Sequence, residues 1–218
     1  MVVLEGVSKS YPTAQGKVEA LHEVTLSMEK GEFVVLCGPS GSGKTTLLMT
    51  VAAMLHPTTG SVTVGQRNLY QMSSRARAKF RAERIGFIFQ MFHLVPYLNV
   101  VENVVLGAQA AGRSGGSVQA RQLLERLGLD GRAHHRPSQL SAGEKQRTAI
   151  ARALFNRPKI ILADEPTGNL DGDNATSVLG HLSDFHRNGG TVVLATHGER
   201  AEQYADRVVY MSEGEVRS

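Results

Sequence analysis

The most restrictive stretch of this chain is the junction between a short apolar run, Phe33-Val34-Val35-Leu36-Cys37, and Gly38-Pro39-Ser40-Gly41-Ser42-Gly43-Lys44-Thr45. An unbroken apolar run of this length predicts a strand buried on both faces, and the residues from about Lys44 to Leu55 read as a helix. The turn between them fits G-x-x-x-x-G-K-[ST] at every fixed position. Glycines at this spacing let backbone N–H groups converge on phosphate oxygens, and the helix N-terminus adds partial positive charge. Lys44 is expected to reach the β- and γ-phosphates of a nucleoside triphosphate, and the Thr45 hydroxyl to hold Mg²⁺. Thr46 completes the predicted nucleotide contacts.

The rest of the chain alternates in the same way. Strands are predicted over 2–7, 20–28, 32–37, 60–65, 85–89, 159–163 and 191–195, with a closing hairpin over 207–216. Helices are predicted after a cap at Ser73 or Ser74, and over 100–110, 116–127, 141–155, 172–186 and near 199–204. Val118, Leu123, Leu124 and Leu127 are expected to face inward. Buried strands alternating with helices imply an α/β fold with a mostly parallel sheet. The predicted organisation is one domain over 1–218. Its core comprises 1–90 and 158–218, with antiparallel strands at the N-terminus, and 91–157 is an inserted helical subdomain.

Composition sets outer limits. The chain has 218 residues, a net charge of +4 and one cysteine, Cys37. A single cysteine forms no internal disulfide, which fits a reducing compartment, and its place in an apolar run predicts a small buried hydrophobe. No apolar run reaches the roughly 18–20 residues of a membrane span, and the first residues lack a secretory pattern, so the expected location is the cytoplasm. The charge excess is too small to imply nucleic acid, and no such partner is expected. His134 and His135 have no further ligand set nearby and predict no metal site.

Ile160-Ile161-Leu162-Ala163 ends in Asp164 and Glu165. Neighbouring residues at a strand end point opposite ways, so one carboxylate can approach Mg²⁺ while the next faces attacking water. Asp164 suits the first task and Glu165 the second, as general base.

The run Leu140-Ser141-Ala142-Gly143-Glu144-Lys145-Gln146-Arg147 resembles the signature of ABC ATPases, usually LSGGQxQR. Other matches follow in the family's order. Gln90 closes IGFIFQ like the Q-loop. Residues 164–171, Asp-Glu-Pro-Thr-Gly-Asn-Leu-Asp, resemble Walker B running into the D-loop. His197 follows TVVLAT like the switch histidine, and Tyr11 stands where the family sets a ring against adenine. The resemblance implies the P-loop NTPase ABC ATPase fold and a head-to-tail dimer enclosing ATP. In it, Ser141, Ala142, Gly143 and Glu144 of one chain face the ATP on the P-loop of the other. It further implies that Gln90 touches Mg²⁺ and attacking water, that His197 bonds the γ-phosphate, and that Asp171 bridges the subunits. Lys44, Gln90, Glu165 and His197 are then the catalytic set, and Thr45, Gln90 and Asp164 the Mg²⁺ set. Independently, Ser141-x-x-Glu144 is a capping box, which marks a helix N-terminus and a ready anion site. Three positions depart from the pattern. Ala142 replaces a glycine, and its methyl is expected to crowd the partner's nucleotide. Glu144 replaces glutamine but can still complete the capping box. Gly198 replaces an aspartate that many relatives carry after the switch histidine.

The segment 11–21, the phrase ADEPTGNLD and the stretch from Phe89 to Val100 resemble the branch of lipoprotein-release, macrolide-exporter and cell-division ATPases. That implies an ATPase at the cytoplasmic face of the inner membrane, driving a separate membrane permease. Phe92, Leu94, Val95, Tyr97 and Leu98 crowd a predicted loop, and exposed apolar residues there form the expected docking surface. The alternative reading is a soluble or regulatory ABC ATPase, tied to cell-division signalling, nucleic acid or ribosomes, that moves no cargo.

Overall fold

The computed structural model describes residues 1–14, 16–112 and 116–217. Two sheets organise it. Strand β1 (Val2–Thr13) pairs with β2 (Gly16–Met28) and β4 (Thr59–Val64), and β4 pairs with β5 (Arg67–Asn68), all antiparallel. The second sheet has the order β10-β9-β3-β8-β7-β6, formed by β3 (Phe33–Cys37), β6 (Ile85–Ile88), β7 (Ile160–Asp164), β8 (Thr191–Thr196), β9 (Arg207–Ser212) and β10 (Glu215–Arg217). Strands β9, β3, β8, β7 and β6 run parallel, and β10 turns back on β9 as the antiparallel edge.

Every residue of β3, β7 and β8 is buried, because the parallel sheet is covered on both sides. The period of two divides their side chains. Val34, Leu36, Leu162 and Val193 point towards the antiparallel sheet and α1 (Lys44–Val51). Phe33, Val35, Ile161 and Leu194 point towards α3 (Val100–Val105), α4 (Ser117–Arg126), α5 (Ala142–Leu154) and α6 (Gly172–Arg187). Between β6 and β7 the described chain is helical, which supplies that second layer. No described helix is long and apolar enough to cross a membrane.

Ser73 caps α2 (Ser74–Arg84) by accepting from the Ala76 N–H. Several predicted boundaries move. β1 runs six residues past its predicted end, to Thr13, paired with β2 across register shifts between Val7 and Ser10. The first helix stops at Val51 rather than Leu55. Ala53 lies at φ 57°, and Tyr70 Oη donates to the carbonyls of Thr50 and Leu55, closing that end. The helix predicted to reach residue 110 ends at Val105, followed by a 3₁₀ turn over Gln109–Ala111. The inward stripe predicted for α4 needs one correction. Ala120, Leu124 and Leu127 form the buried line at i, i+4, i+7, and Leu123 is partly buried against it. Val118 lies two positions from Ala120, about 200° around the helix, and is 64% exposed.

Candidate active site

Four adjacent strands end side by side, and each hands the chain to one predicted site segment. β3 leads into Gly38–Thr45, β8 into His197, β7 into Glu165, and β6 into Gln90. Ligands of open parallel sheets bind beyond the carboxyl ends of the strands. Here those ends enclose a cavity of about 290 Å³ lined by Ser40–Thr46, Gln90, Glu165 and His197, with Ala20 of β2 as an added wall.

The glycine-rich turn is needed sterically. A Cβ on Gly43, at φ 101°, would stand 2.5 Å from the Ala20 carbonyl oxygen, and one on Gly38 would stand 2.1 Å from that of Met211. Lys44 Nζ donates to the carbonyls of Gly38 at 2.7 Å and Pro39 at 2.9 Å, and lies 3.5 Å from Ser42 Oγ. These acceptors are neutral, and phosphate oxygens in the same cavity would offer charged ones, which bind a cation about twice as strongly. The loop therefore fits a phosphate group.

Thr45 Oγ1 donates to Asp164 Oδ1 at 2.9 Å, joining the two predicted Mg²⁺ ligands. Burial raises the Asp164 carboxyl above its ordinary pKa, the Thr45 hydroxyl opposes this, and Glu165 next door adds to it. A hydroxyl, a carboxylate and the Gln90 amide are hard oxygen donors suited to Mg²⁺. Among the described residues no group of three His, Cys, Asp or Glu could hold a metal alone. Mg²⁺ completes such a sparse set with waters and substrate phosphates. Glu165 has φ 45°, uncommon for a residue with a side chain, and its N–H donates to the Ala195 carbonyl at 2.9 Å. Its Oε1 lies 2.8 Å from His197 Nδ1. The histidine expected at the γ-phosphate thus also contacts the expected base. Gly198 donates its N–H to Thr196 Oγ1.

The other predicted contacts lie elsewhere. Tyr11 is paired with Val18 in the β1–β2 hairpin, 37% exposed, with Lys9 Nζ 5.1 Å from its ring centre, and does not line the cavity. The capping box forms: Ser141 Oγ accepts from the Glu144 N–H, and Glu144 Oε2 accepts from the Ser141 N–H. Glu144 Oε1 also accepts from Arg132 Nε at 2.7 Å. The bond from the Ser141 backbone, then that from Arg132, holds the Glu144 pKa down to about 2. Ser141 and Ala142 are exposed at the start of α5, and neither lines the cavity of its own chain. Gly143 is buried, with the Asn174 side chain packed against its Cα. A Cβ there would stand 2.1 Å from Asn174 Oδ1. Asp171 caps α6 by accepting from the Asn174 N–H at 2.9 Å.

Sequence reasoning missed the residues that tie these parts together. Asn174 Nδ2 donates to both Asp171 carboxylate oxygens, while its Oδ1 accepts from Arg147. Buried Gln146 donates to the Pro166 carbonyl beside Glu165. Phe92 and His93 are both left-handed, at φ 58° and 47°, and Arg152 of α5 donates to both their carbonyls. Fully buried Asn103 accepts from the Val95 N–H and donates to the carbonyls of Val95, Leu98 and Asn99. The sequence signal was a lone amide inside the apolar helix VVENVV. The predicted docking stretch is mixed: Tyr97 is 74% exposed, while Phe92, Leu94, Val95 and Leu98 are partly buried.

Comparison with known proteins places the chain in a family. The family model described as "ABC transporter" matches residues 21–168. A macrolide export ATP-binding/permease protein, MacB, of Burkholderia lata is 42% identical over 99% of this chain. The chain spans only 32% of that relative's length. YvrO of Bacillus subtilis, an uncharacterized ABC transporter ATP-binding protein, is 40% identical, covering 99% of this chain and 95% of its own. The dimeric structure of MJ0796, a bacterial ABC transporter cassette, superposes with a TM-score of 0.95 at 37% identity, covering 100% of this chain and 97% of that one. Its post-hydrolysis state with ADP and Pi gives 0.90 at 36% identity, with the same coverage. Signature, strand-end carboxylates and fold therefore converge, and the chain belongs to the ABC transporter family as an ATP-binding, ATP-hydrolysing cassette.

Proposed function

We propose that two copies of this chain close head to tail on ATP and Mg²⁺ and so drive a membrane permease from the cytoplasmic face of the inner membrane. The observation that carries this is the separation of the site into two exposed halves. The phosphate cavity is lined by Lys44, Gln90, Glu165 and His197, while Ser141 and Ala142 at the N-terminus of α5 lie outside it and are exposed. A two-fold pair puts each half opposite the other. The dimeric form of MJ0796 supports the pairing, and the fused permease named in MacB supports the membrane partner.

Lys44 and the loop N–H groups hold the phosphates, with the ring of Tyr11 against adenine. Thr45, Asp164 and Gln90 would hold Mg²⁺, which when bound would supply positive charge against the phosphates. Glu165 Oε takes the proton of the attacking water, and His197, bonded to that carboxylate, keeps it oriented. Ser141, Ala142, Gly143 and Glu144 of the partner close over the ATP, and Asp171 lies at the seam. We place the permease contact on Phe92–Leu98. A cleft of about 350 Å³ supports this, opening beside the loop between α2 and the helical segment 91–157, with Phe87, Phe89 and His93 in its wall.

The test is tagged Glu165→Gln purified with ATP and Mg²⁺. Hydrolysis should fall about 10²–10⁴-fold with nucleotide affinity retained. The trapped dimer should carry a polytopic membrane protein, and Tyr97→Ser with Leu98→Ser should release that protein without lowering ATP affinity. Recovery of nucleic-acid-binding or ribosomal proteins alone would overturn the reading.

A further inference from the structure

A second cavity, of about 340 Å³, lies at the opposite edge of the parallel sheet. Lys30 precedes β3, Arg84 precedes β6, Lys159 precedes β7 and Gly189 stands ahead of β8, and all of them line it. These are the starts of the strands whose far ends carry the nucleotide machinery. The floor is apolar: Met1, Val64 and Phe80, with Val64 and Phe80 buried.

Four cationic residues, Lys30, Arg67, Arg84 and Lys159, line the cavity with that floor, and among the described residues no Asp or Glu does. None of the four has a carboxylate partner among the described residues. The Arg67 guanidinium lies 5.9 Å from the Phe80 ring centre, at the floor itself. Arg84 also complements the C-terminal dipole of α2, which explains one charge and not the presence of four around one cavity. Backbone bonds hold the walls in place. The Lys159 N–H donates to the Arg84 carbonyl at 2.9 Å, the Thr191 N–H to the Lys159 carbonyl at 3.1 Å, and the Gly65 N–H to the Met1 carbonyl at 2.9 Å. The Gly31 N–H donates to Thr191 Oγ1 at 2.8 Å. An adjoining depression of about 420 Å³ shares Met1, Lys30 and Gly65 and adds apolar wall at Val3.

A pre-formed, apolar-floored cavity with convergent charges of one sign is what a small ligand needs. We propose that this cavity binds a small amphiphilic anion, a phosphate or carboxylate head held by the four cations with an apolar body over Phe80, Val64 and Met1. The site is separate from the nucleotide. It also bears on the rest of the molecule through α2, which presents Phe80 and Arg84 here and Ala78, Arg81 and Ala82 to the cleft beside the docking loop.

The test is calorimetric titration of octyl phosphate into the full chain, with the P-loop saturated by Mg²⁺ and ADP. Saturable one-to-one binding is expected, at least about tenfold tighter than that of inorganic phosphate, which lacks the apolar body. Arg67→Gln with Arg84→Gln should weaken it about tenfold and leave ADP affinity unchanged. Lys30→Gln with Lys159→Gln is an independent second pair, and a thermal melt of each checks folding. Phosphatidylcholine vesicles doped with phosphatidic acid separate the sources. Vesicle binding displaced by octyl phosphate identifies a membrane lipid as donor of the head, and octyl phosphate binding without vesicle binding identifies a soluble amphiphile. Absence of saturable heat under ADP, equal affinity for inorganic phosphate, or indifference to both charge pairs would overturn the proposal.

Discussion

Cys37 shows how one residue's surroundings set its chemistry. It is the last residue of β3, buried directly before the phosphate loop. Burial, and then its hydrogen bond to Glu202, pushes its thiol up to about 11. At pH 8 its thiolate fraction is therefore far below that of a free cysteine. Iodoacetamide should alkylate the folded chain on the order of a hundredfold more slowly than the unfolded chain. The rate should climb as pH approaches 11, and fast labelling at pH 8 would contradict the burial. Thus the lone cysteine is a core residue, as its apolar run implies. Its acceptor, Glu202, lies 165 residues away and is invisible to any local pattern.

At the scale of elements, caps and clamps decide where the helices and loops sit. Asn103 is the clamp for residues 95–99. Asn103→Ala removes its side-chain bonds and leaves the part-buried Val95 N–H and Leu98 carbonyl without them, so it should cost about 1–3 kcal/mol in chemical denaturation. A loss below about 0.5 kcal/mol would show that the loop holds itself. Glu144 is the clamp for α5. Its folded pKa is held below the ordinary 4.5, so its charged contribution is complete above that value and is lost as pH falls through about 2. Glu144→Ala should cost roughly 0.3–1.5 kcal/mol at pH 7. The gap from the unaltered chain, read from urea midpoints, should narrow between pH 4.5 and the lowest pH at which both still fold. Much of this level is legible in sequence. The phosphate loop, the buried strands and the Ser141 box follow from local spacing and period. What escaped depends on packing between distant elements. Val118 has the right hydrophobicity but the wrong angle. Gly143 is small because Asn174 of another helix lies against it. Phe92 and His93 adopt left-handed backbone whose carbonyls are held by Arg152, 59 residues from His93.

For the molecule as a whole, the proposed pair has a consequence that a single chain cannot show. Lys44→Ala spoils the phosphate half of the site and Ser141→Arg the signature half, so each variant alone should be inactive. In a mixed dimer, one composite site receives both defects and the other receives none. Mixing equal amounts should restore about a quarter of the unaltered ATPase rate if sites act independently. No recovery, with mixed dimers verified by tags, would rule out the head-to-tail arrangement. The two ends of the parallel sheet divide the labour in the same spirit: strand ends carry nucleotide chemistry, and strand starts carry the basic cavity. Both follow from one topology, since every parallel strand points the same way.

The grip of Arg152 on the bent segment after Gln90 also makes a mechanical link. Arg152 stands eleven positions from Ser141, the cap of α5, about 16 Å along one continuous helix. A rod of that kind does not absorb a push. On the proposed pairing, a shift of Phe92 and His93 would be carried along α5 to Ser141, which would make this helix a crank between the outer surface and the proposed half-site.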